Sequence, residues 1–285
     1  MKITFLGTGA SEGIPALFCD CKMCKEARAA KKYHTRSQLL INDDLLIDFP
    51  PDTYMHVLQY GVDLGAIKNL IVTHSHSDHL YAEDFWTRGG MSSFELKSDS
   101  LNIHGSNNIG KIFDRASVDF FVGDTNETFN EYKIFAHGMK FYAREPFETF
   151  EAGEYIITAL PAVHMMREQA LNYIVERGGK SLLYALDTGY PKQEYFDFIL
   201  AHGKRFDAVV VDSTFGASDI ESRGHMSFRS AEEFAWQLKS IHAANDDTKF
   251  FASHIFHGAA KDNATLLGAL PKGFVLPVDG DVFNL

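Results

Sequence analysis

The sequence predicts an α/β (α+β) protein, a sheet sandwich with helices outside. Two observations carry this. Short apolar runs recur along the chain and end repeatedly in His or Asp: Asp48, the stretch His74 to His79, His164, Asp187, Asp212 and His254. Segments of helical character separate several of them, and apolar runs of this length bounded by turn residues read as buried strands. A single polar terminus can be a capped turn, but the set together places these side chains at one rim of the sandwich.

Composition agrees with a core of that size. The chain has 285 residues, of which 45% are hydrophobic and 23% charged, ordinary values for a globular protein. A formal net charge of -11 counts against broad nucleic-acid binding. It says little about a small anionic substrate, because bound metals dominate the field at a site. No apolar run approaches membrane length, and Met1 to Gly7 is too short for the core of a signal peptide. A cytoplasmic location is expected. The three cysteines all fall between Cys19 and Cys24, an odd cluster better suited to metal than to disulfides.

In chain order, Lys2 to Leu6 is an opening strand, and Gly7-Thr8-Gly9-Ala10-Ser11-Glu12-Gly13 is a glycine-rich loop. Ile14-Pro15 follows where a P-loop needs Lys-Ser/Thr, and no helix opens at once as in a dinucleotide site, so the glycines serve a tight backbone beside the site. Cys19-x-Cys21-x-x-Cys24 can wrap one tetrahedral Zn if a fourth ligand arrives from elsewhere; the alternative is three free buried cysteines. Lys25 to Lys32 reads as a short basic helix. Ser37 to Ile41 and Leu45 to Asp48 read as a hairpin, with Asp48 either orienting a ligating imidazole or capping a turn before Pro50-Pro51. A helix over about 51–60 leads to the strand Leu70-Ile71-Val72.

Thr73-His74-Ser75-His76-Ser77-Asp78-His79 then places three histidines and one aspartate at a strand end. Imidazole and carboxylate suit Zn, Mn or Fe, and a short turn can aim His74 and His76 one way and Asp78 and His79 the other. From Leu80 to Phe150 the pattern is less sharp. Asp84 to Ser93 is expected to border the site, Arg88 to lie on the surface, His104 and His137 to be ordinary histidines, and Phe113 to Phe150 to be sheet. Strands end next at His164, run over Leu171 to Val175, and end at Asp187. A helix over Gln193 to His202 leads to the strand ending at Asp212. Gly224-His225-Met226-Ser227 introduces a helix through Lys239, with Ser230 and Glu233 in capping-box spacing and Ser227 as the alternative cap. Lys249 to Ala252 runs into Ser253-His254-Ile255-Phe256-His257, and Val275 to Phe283 closes the chain as an edge strand.

The series His74-x-His76-x-Asp78-His79, His164, Asp187 and His254 resembles the metal-ligand series of the metallo-β-lactamase superfamily over nearly the whole chain. That resemblance implies a four-layer αββα sandwich, one domain over 1–285, with a binuclear site. It implies that His74, His76 and His164 hold a first divalent metal, that Asp78, His79 and His254 hold a second, and that Asp187 bridges them, with Zn or Mn favoured and Fe also accepted by the donors. A bridging aspartate fits the phosphodiester and thioester hydrolases of the superfamily, and His76 in place of Glu argues against its diiron branch. Ala82, where many members carry glycine, touches no ligand.

Gly7-Thr8-Gly9 followed by the cysteine cluster and by His254-x-x-His257 is similar to the PhnP-like phosphodiesterases, which hydrolyse cyclic phosphates. The resemblance assigns His257 as fourth ligand, with Cys19, Cys21 and Cys24, of a structural Zn. It gives Asp78 and His225 catalytic roles, His225 as a substrate-facing group that assists the leaving oxygen; the other reading of His225 is a capped surface histidine. Asp212 would hold its tautomer. The expected function is hydrolysis of a small, open or cyclic, phosphodiester by attack of a hydroxide shared between the metals. A tRNase Z-like RNA 3′-processing nuclease, a thioester hydrolase and a non-hydrolytic protein resembling PqqB are the alternatives. The expected partner is that small substrate, neither a membrane nor a nucleic acid, and a homodimer is the base-rate assembly.

Overall fold

In the computed structural model, which describes residues 1–88, 95–120, 138–164, 167–220 and 222–285, the chain forms two seven-stranded sheets. The first contains β1 (Lys2–Gly7), β2 (Gln38–Ile41), β3 (Leu45–Ile47), β4 (Asn69–Ile71), β5 (Leu101–Gly105), β6 (Met139–Ala143) and β14 (Val282–Asn284), in the order β14-β1-β2-β3-β4-β5-β6. The second contains β7 (Thr149–Ala152), β8 (Tyr155–Pro161), β9 (Leu171–Arg177), β10 (Lys180–Ala185), β11 (Ala208–Asp212), β12 (Lys249–Ser253) and β13 (Phe274–Val275), in the order β13-β12-β11-β10-β9-β8-β7.

Side-chain parity within the strands builds the layers. Ile3, Phe5, Leu39, Ile41 and Ile47 of the first sheet meet Tyr173, Leu182, Tyr184, Val210 and Phe251 of the second in one buried cluster. The alternate residues point the other way, because successive side chains on a strand face opposite sides. Leu40, Leu46 and Leu70 pack with Ile109 and Phe113 of α3 (Asn107–Phe120). Leu183, Val209 and Val211 pack with Phe196 and Ile199 of α4 (Gln193–His202) and with Phe234 and Leu238 of α5 (Phe228–Ser240). The result is helix, sheet, sheet, helix. Strands covered on both faces explain the continuous apolar runs.

β3, β4, β5 and β6 are parallel to one another, as are β10, β11, β12 and β13. Their carboxyl ends, where open α/β sheets bind ligands, carry Asp48, the 73–79 stretch, Asp187, Asp212 and His254.

Several expectations change in detail. The cysteine-bearing helix α1 is Lys22–Ala30, so Cys24 lies on it rather than before it. The segment from Phe113 opens as helix through Phe120, with sheet only from Met139; residues 121–137, His137 among them, lie outside the described residues. Asp84, Thr87 and Arg88 line a cavity against Leu46 and Leu70 on the helix side of the first sheet, away from the rim; the expectation that this stretch borders the site fails for them, and 89–94 lie outside the described residues. Arg88 donates to the Ser98 carbonyl at 2.7 Å. Ser227, not Ser230, caps α5, with Ser230 returning the hydrogen bond to the Ser227 amide at 2.9 Å. The closing segment supplies an edge to each sheet, β13 to one and β14 to the other.

Candidate metal centre

The rim residues gather into two donor groups. His74, His76 and His164 form one, and Asp78, His79, Asp187 and His254 the other, with the ligand atoms within each lying inside 4.8 Å of one another. His74 Nε2 is 2.9 Å from His76 Nδ1, and His164 Nε2 is 3.2 Å from it. In the second group His79 Nε2 lies 3.4 Å from His254 Nε2 and 3.3 Å from Asp78 Oδ2. Asp187 sits between the groups. Its Oδ2 contacts His79 Nε2, lies 3.2 Å from His254 Nε2 and 4.0 Å from His74 Nε2, while Oδ1 faces His164 Nε2 at 3.9 Å.

The chemistry of these donors identifies what they accommodate. Four of the five imidazoles have their other nitrogen tied down: His79 Nδ1 to Asp48 Oδ2 at 2.8 Å, His254 Nδ1 to Thr214 Oγ1 at 2.8 Å, His164 Nδ1 to the Gly224 carbonyl at 3.1 Å, and His74 Nδ1 to Thr73 Oγ1 at 3.1 Å. A carbonyl or carboxylate partner requires N–H on that side, so for His79 and His164 the converging Nε2 is a lone pair. Lone pairs aimed at one another and at a carboxylate are unfavourable unless a cation lies among them. The Asp187 carboxylate is buried among these rings. The residues therefore fit two divalent cations.

Asp48 and Asp212 are occupied elsewhere. Asp48 is fully buried and accepts from the Thr73 amide at 2.8 Å, the Thr73 hydroxyl at 3.0 Å and His79. The Asp48 side chain thus bonds Thr73 and His79, the contact the orienting reading requires. Burial raises its carboxyl above the ordinary range against the pull of His79. Asp212 Oδ1 accepts from the Thr214 amide at 3.1 Å and the Met226 amide at 2.9 Å, and its Oδ2 lies 3.1 Å from His225 Nδ1. Burial disfavours the charged form of His225, but the hydrogen bond and charge of Asp212, with Asp187 beside it, outweigh this and raise its pKa to about 9. His225 lines the cavity over the donors, about 270 Å³ in volume, with Glu12, His76, Asp78, His164 and His254.

Three site residues, Asp48 (φ 64), Asp187 (φ 48) and His254 (φ 65), adopt the left-handed backbone region without being glycine. Each turns the chain at a strand end so that its side chain points along the rim, and local strain of this kind persists only where surrounding contacts impose it.

A second cluster lies apart. Cys19, Cys21, Cys24 and His257 place four ligand atoms within 4.8 Å, with Cys21 Sγ 3.6 Å from His257 Nδ1. Burial works against the Cys21 thiolate, but contacts with His257, Cys24 and Cys19 lower its pKa to about 6, while burial and its thiol neighbours raise Cys24 to about 12. Holding Cys24 as a thiolate beside Cys21 therefore calls for a cation.

The structure thus brings together every ligand candidate named from the sequence. It adds groups that pattern alone did not single out. Thr73 and Thr214 stand beside ligands at strand ends, a placement that could have flagged them. Glu168 gave no signal: it accepts from Ser106 Oγ at 2.9 Å, from Asn108 Nδ2 at 3.2 Å and from the Ser75 amide at 3.3 Å, clamping the loop between His74 and His76.

Residues 45–254 match the model of the β-lactamase superfamily domain. The chain belongs to the metallo-β-lactamase superfamily. Among solved structures, a diphosphatase from the PhnP family superposes with a TM-score of 0.73 at 18% identity, covering 100% of this chain and 97% of that one. Zn(2+)-bound PqqB from Methylobacterium extorquens gives 0.70 at 17%, covering 100% of both. These likenesses are of fold. In sequence, ribonuclease Z of Picrophilus torridus is 23% identical over 274 residues, 82% of this chain and 81% of that protein. A Porphyromonas gingivalis octanoyltransferase is 38% identical over 85 residues, a stretch that spans only 16% of its length. Family membership with both donor groups assembled makes this chain a metal-dependent hydrolase. No helix among the described residues is long and apolar enough to cross a membrane.

Proposed function

We propose that this hydrolase cleaves a small phosphodiester, open or cyclic, in the cavity above the two donor groups. The observation that carries the reading is Asp187, whose Oδ2 reaches His79 and His254 and whose Oδ1 faces His164, while His225 Nδ1 stands 3.3 Å away. His74, His76 and His164 would hold one divalent ion, and Asp78, His79 and His254 a second, with Asp187 common to both. Such ions supply a nucleophile from water near neutral pH and neutralise phosphate charge. The protein's part is orientation and proton delivery. Asp48, Thr214 and the Gly224 carbonyl hold the imidazoles in register, which positions the diester for in-line attack. Asp212 holds His225 by Nδ1, leaving Nε2 for the cavity, where a protonated ring can deliver the proton a departing alkoxide needs.

The PhnP-family fold likeness supports this reading, and so does the cysteine cluster, in which Cys19, Cys21, Cys24 and His257 would hold a structural Zn. Within this reading the protein works in a reducing cytoplasm as a single domain. The ribonuclease Z relatives favour a second reading, cleavage at the 3′ side of precursor tRNA; the net charge of -11 weighs against it.

The test is hydrolysis of an aryl phosphodiester by protein reconstituted with Mn or Zn, with Asp187→Ala as control. Turnover that is lost with metal in the variant supports the reading. Folded, metal-loaded protein that turns over precursor tRNA but no small diester replaces it with the second.

A further inference from the structure

His76 differs from the other imidazoles of the two donor groups. It turns Nδ1, not Nε2, toward its neighbours, at 2.9 Å from His74 Nε2 and 3.2 Å from His164 Nε2. Its Nε2 has no hydrogen-bond partner among the described residues, and the residue is exposed. A partner on the second ring nitrogen is what normally fixes the aim of a ligating histidine. For His76 that aim depends on the backbone that carries it.

This backbone is held on both sides of the ring. After it, the His76 carbonyl accepts from the His79 and Leu80 amides, each at 2.9 Å. Before it, the Glu168 carboxylate accepts from the Ser75 amide at 3.3 Å and from the Ser75 hydroxyl. Glu168 is fastened in turn. Its Oε1 accepts from Ser106 Oγ at 2.9 Å, and its Oε2 accepts from Asn108 Nδ2 at 3.2 Å. The same Asn108 nitrogen donates to Ser75 Oγ at 2.9 Å, which closes the network.

Chain order adds a second reason. His74 and His76 follow β4 of the first sheet, whereas His164 follows β8 of the second. The first donor group therefore closes only if the β8–β9 connection is fixed against the 73–79 turn. Glu168 lies in that connection, after His164 and before β9. It supplies a side-chain tie to the turn, beside the backbone tie in which the Leu171 amide donates to the Thr73 carbonyl at 2.8 Å.

We propose that Glu168 is a positioning residue for the first donor group: by holding Ser75 it sets the aim of His76 and joins that ring to the connection that brings His164. The inference rests on the two-ion part of the phosphodiesterase reading and is independent of the substrate.

Chelator competition on the zinc-loaded protein reads the affinity of each rim ion, with elemental analysis and a thermal melt alongside. Glu168→Ala should weaken one ion about tenfold and leave the other within about twofold. Glu168→Gln should stay within about threefold of the wild type, because its amide oxygen still accepts from Ser75 and its NH2 can donate to the Ser106 hydroxyl. Ser75→Ala keeps the amide contact and should cost about threefold at the same ion. Double variants trace the route. In a His76→Ala background Glu168→Ala should cost no more than about twofold further, whereas in an Asp48→Ala background its tenfold cost should persist. Equal weakening of both ions with a lowered Tm, or an undiminished cost in the absence of the His76 ring, overturns the inference, since either makes Glu168 a support for the fold alone. So does an unchanged affinity in Glu168→Ala. Wild-type protein that binds fewer than two ions beyond the one at the cysteines removes the two-ion reading itself.

Discussion

Asp48 Oδ2 lies 2.8 Å from Nδ1 of His79, and both side chains are fully shielded from solvent. The carboxylate ends one parallel strand and the imidazole follows the next, so the pairing of β3 with β4 sets their separation. Asp48→Ala removes the acceptor that fixes the His79 tautomer. Metal affinity at the second donor group should fall by about 10–100-fold, as for other partners of ligating imidazoles. Competition against a chelator of known affinity measures it; an unchanged affinity would show that packing alone orients His79.

His225→Ala should keep both active-site ions and lose about 10²–10⁴-fold in kcat on a diester with a poor leaving group. A smaller loss on an activated aryl ester is the expected companion, because a good leaving group needs less protonation. Equal losses on both would assign His225 to phosphate binding instead.

Gly189 follows the bridging candidate by two positions, and its backbone meets the segment before His225. A Cβ there would run into the Arg223 carbonyl. Gly189→Ala should therefore displace Arg223 and Gly224, whose carbonyl holds His164 Nδ1. A loss of about 10–100-fold in kcat with the fold retained is expected from misplacement on this scale, read from steady-state rates beside a thermal melt.

Cys21→Ser and His257→Ala should each lower metal content by one ion per chain, seen by elemental analysis, and leave the other ions in place. Each should also lower Tm by about 5 °C or more. The cause is that Met23 and Ala27 of α1 pack with Phe228, Ile255 and Ala259, a contact the cysteine cluster clamps. Melts unchanged in both variants would leave the cluster without a structural role.

Asp279 carries a pH dependence without itself being one of the metal donors. Gln38 Nε2 donates to Thr53 Oγ1 at 3.0 Å, so Gln38 Oε1 must accept from His56 Nδ1 at 2.6 Å. Burial lowers the His56 pKa to about 4, so its Nε2 accepts from Thr35 Oγ1 at 2.7 Å. Thr35 Oγ1, with its one proton committed, stands 2.7 Å from Asp279 Oδ2, a contact that suits a protonated carboxyl. Burial indeed raises Asp279 to about 7 against the donors of Thr35 and Thr8. The sign follows. The folded state holds this proton between pH 4 and 7 and the unfolded chain does not, so stability falls as pH rises through that window, by at most about 1.4 kcal/mol per unit. Asp279→Asn should flatten the decline in denaturant midpoint between pH 5 and pH 8; a slope equal to that of the wild type would place the titration elsewhere.

The candidate donors stood out in the sequence because apolar strands run into them: the 73–79 stretch follows β4, His164 follows β8, Asp187 follows β10 and His254 follows β12. The resemblance of His74, His76, Asp78, His79, His164, Asp187 and His254 to the superfamily's series then named them as ligand candidates. The cysteine spacing likewise marked a metal site through local geometry. Long-range pairings were harder to see. Thr73 and Thr214 are ordinary strand-end threonines until the fold brings Asp48 and His254 against them. Glu168 meets Ser75, 93 residues away in sequence, only across the two sheets.

What the sequence by itself determined is the fold class and a rim of candidate donors, since these depend on side-chain type and on apolar runs that end in His or Asp; the division of the donors into two groups came from the family resemblance. What only the tertiary structure decided is orientation: which imidazole nitrogen faces inward, that the Asp48 side chain bonds His79 where a turn cap was equally readable, and that Ser227 caps α5. These depend on positive φ values at Asp48, Asp187 and His254 and on hydrogen bonds between distant strands. Neither is encoded in local pattern, because the same residues in an isolated loop would keep their identities and lose their directions.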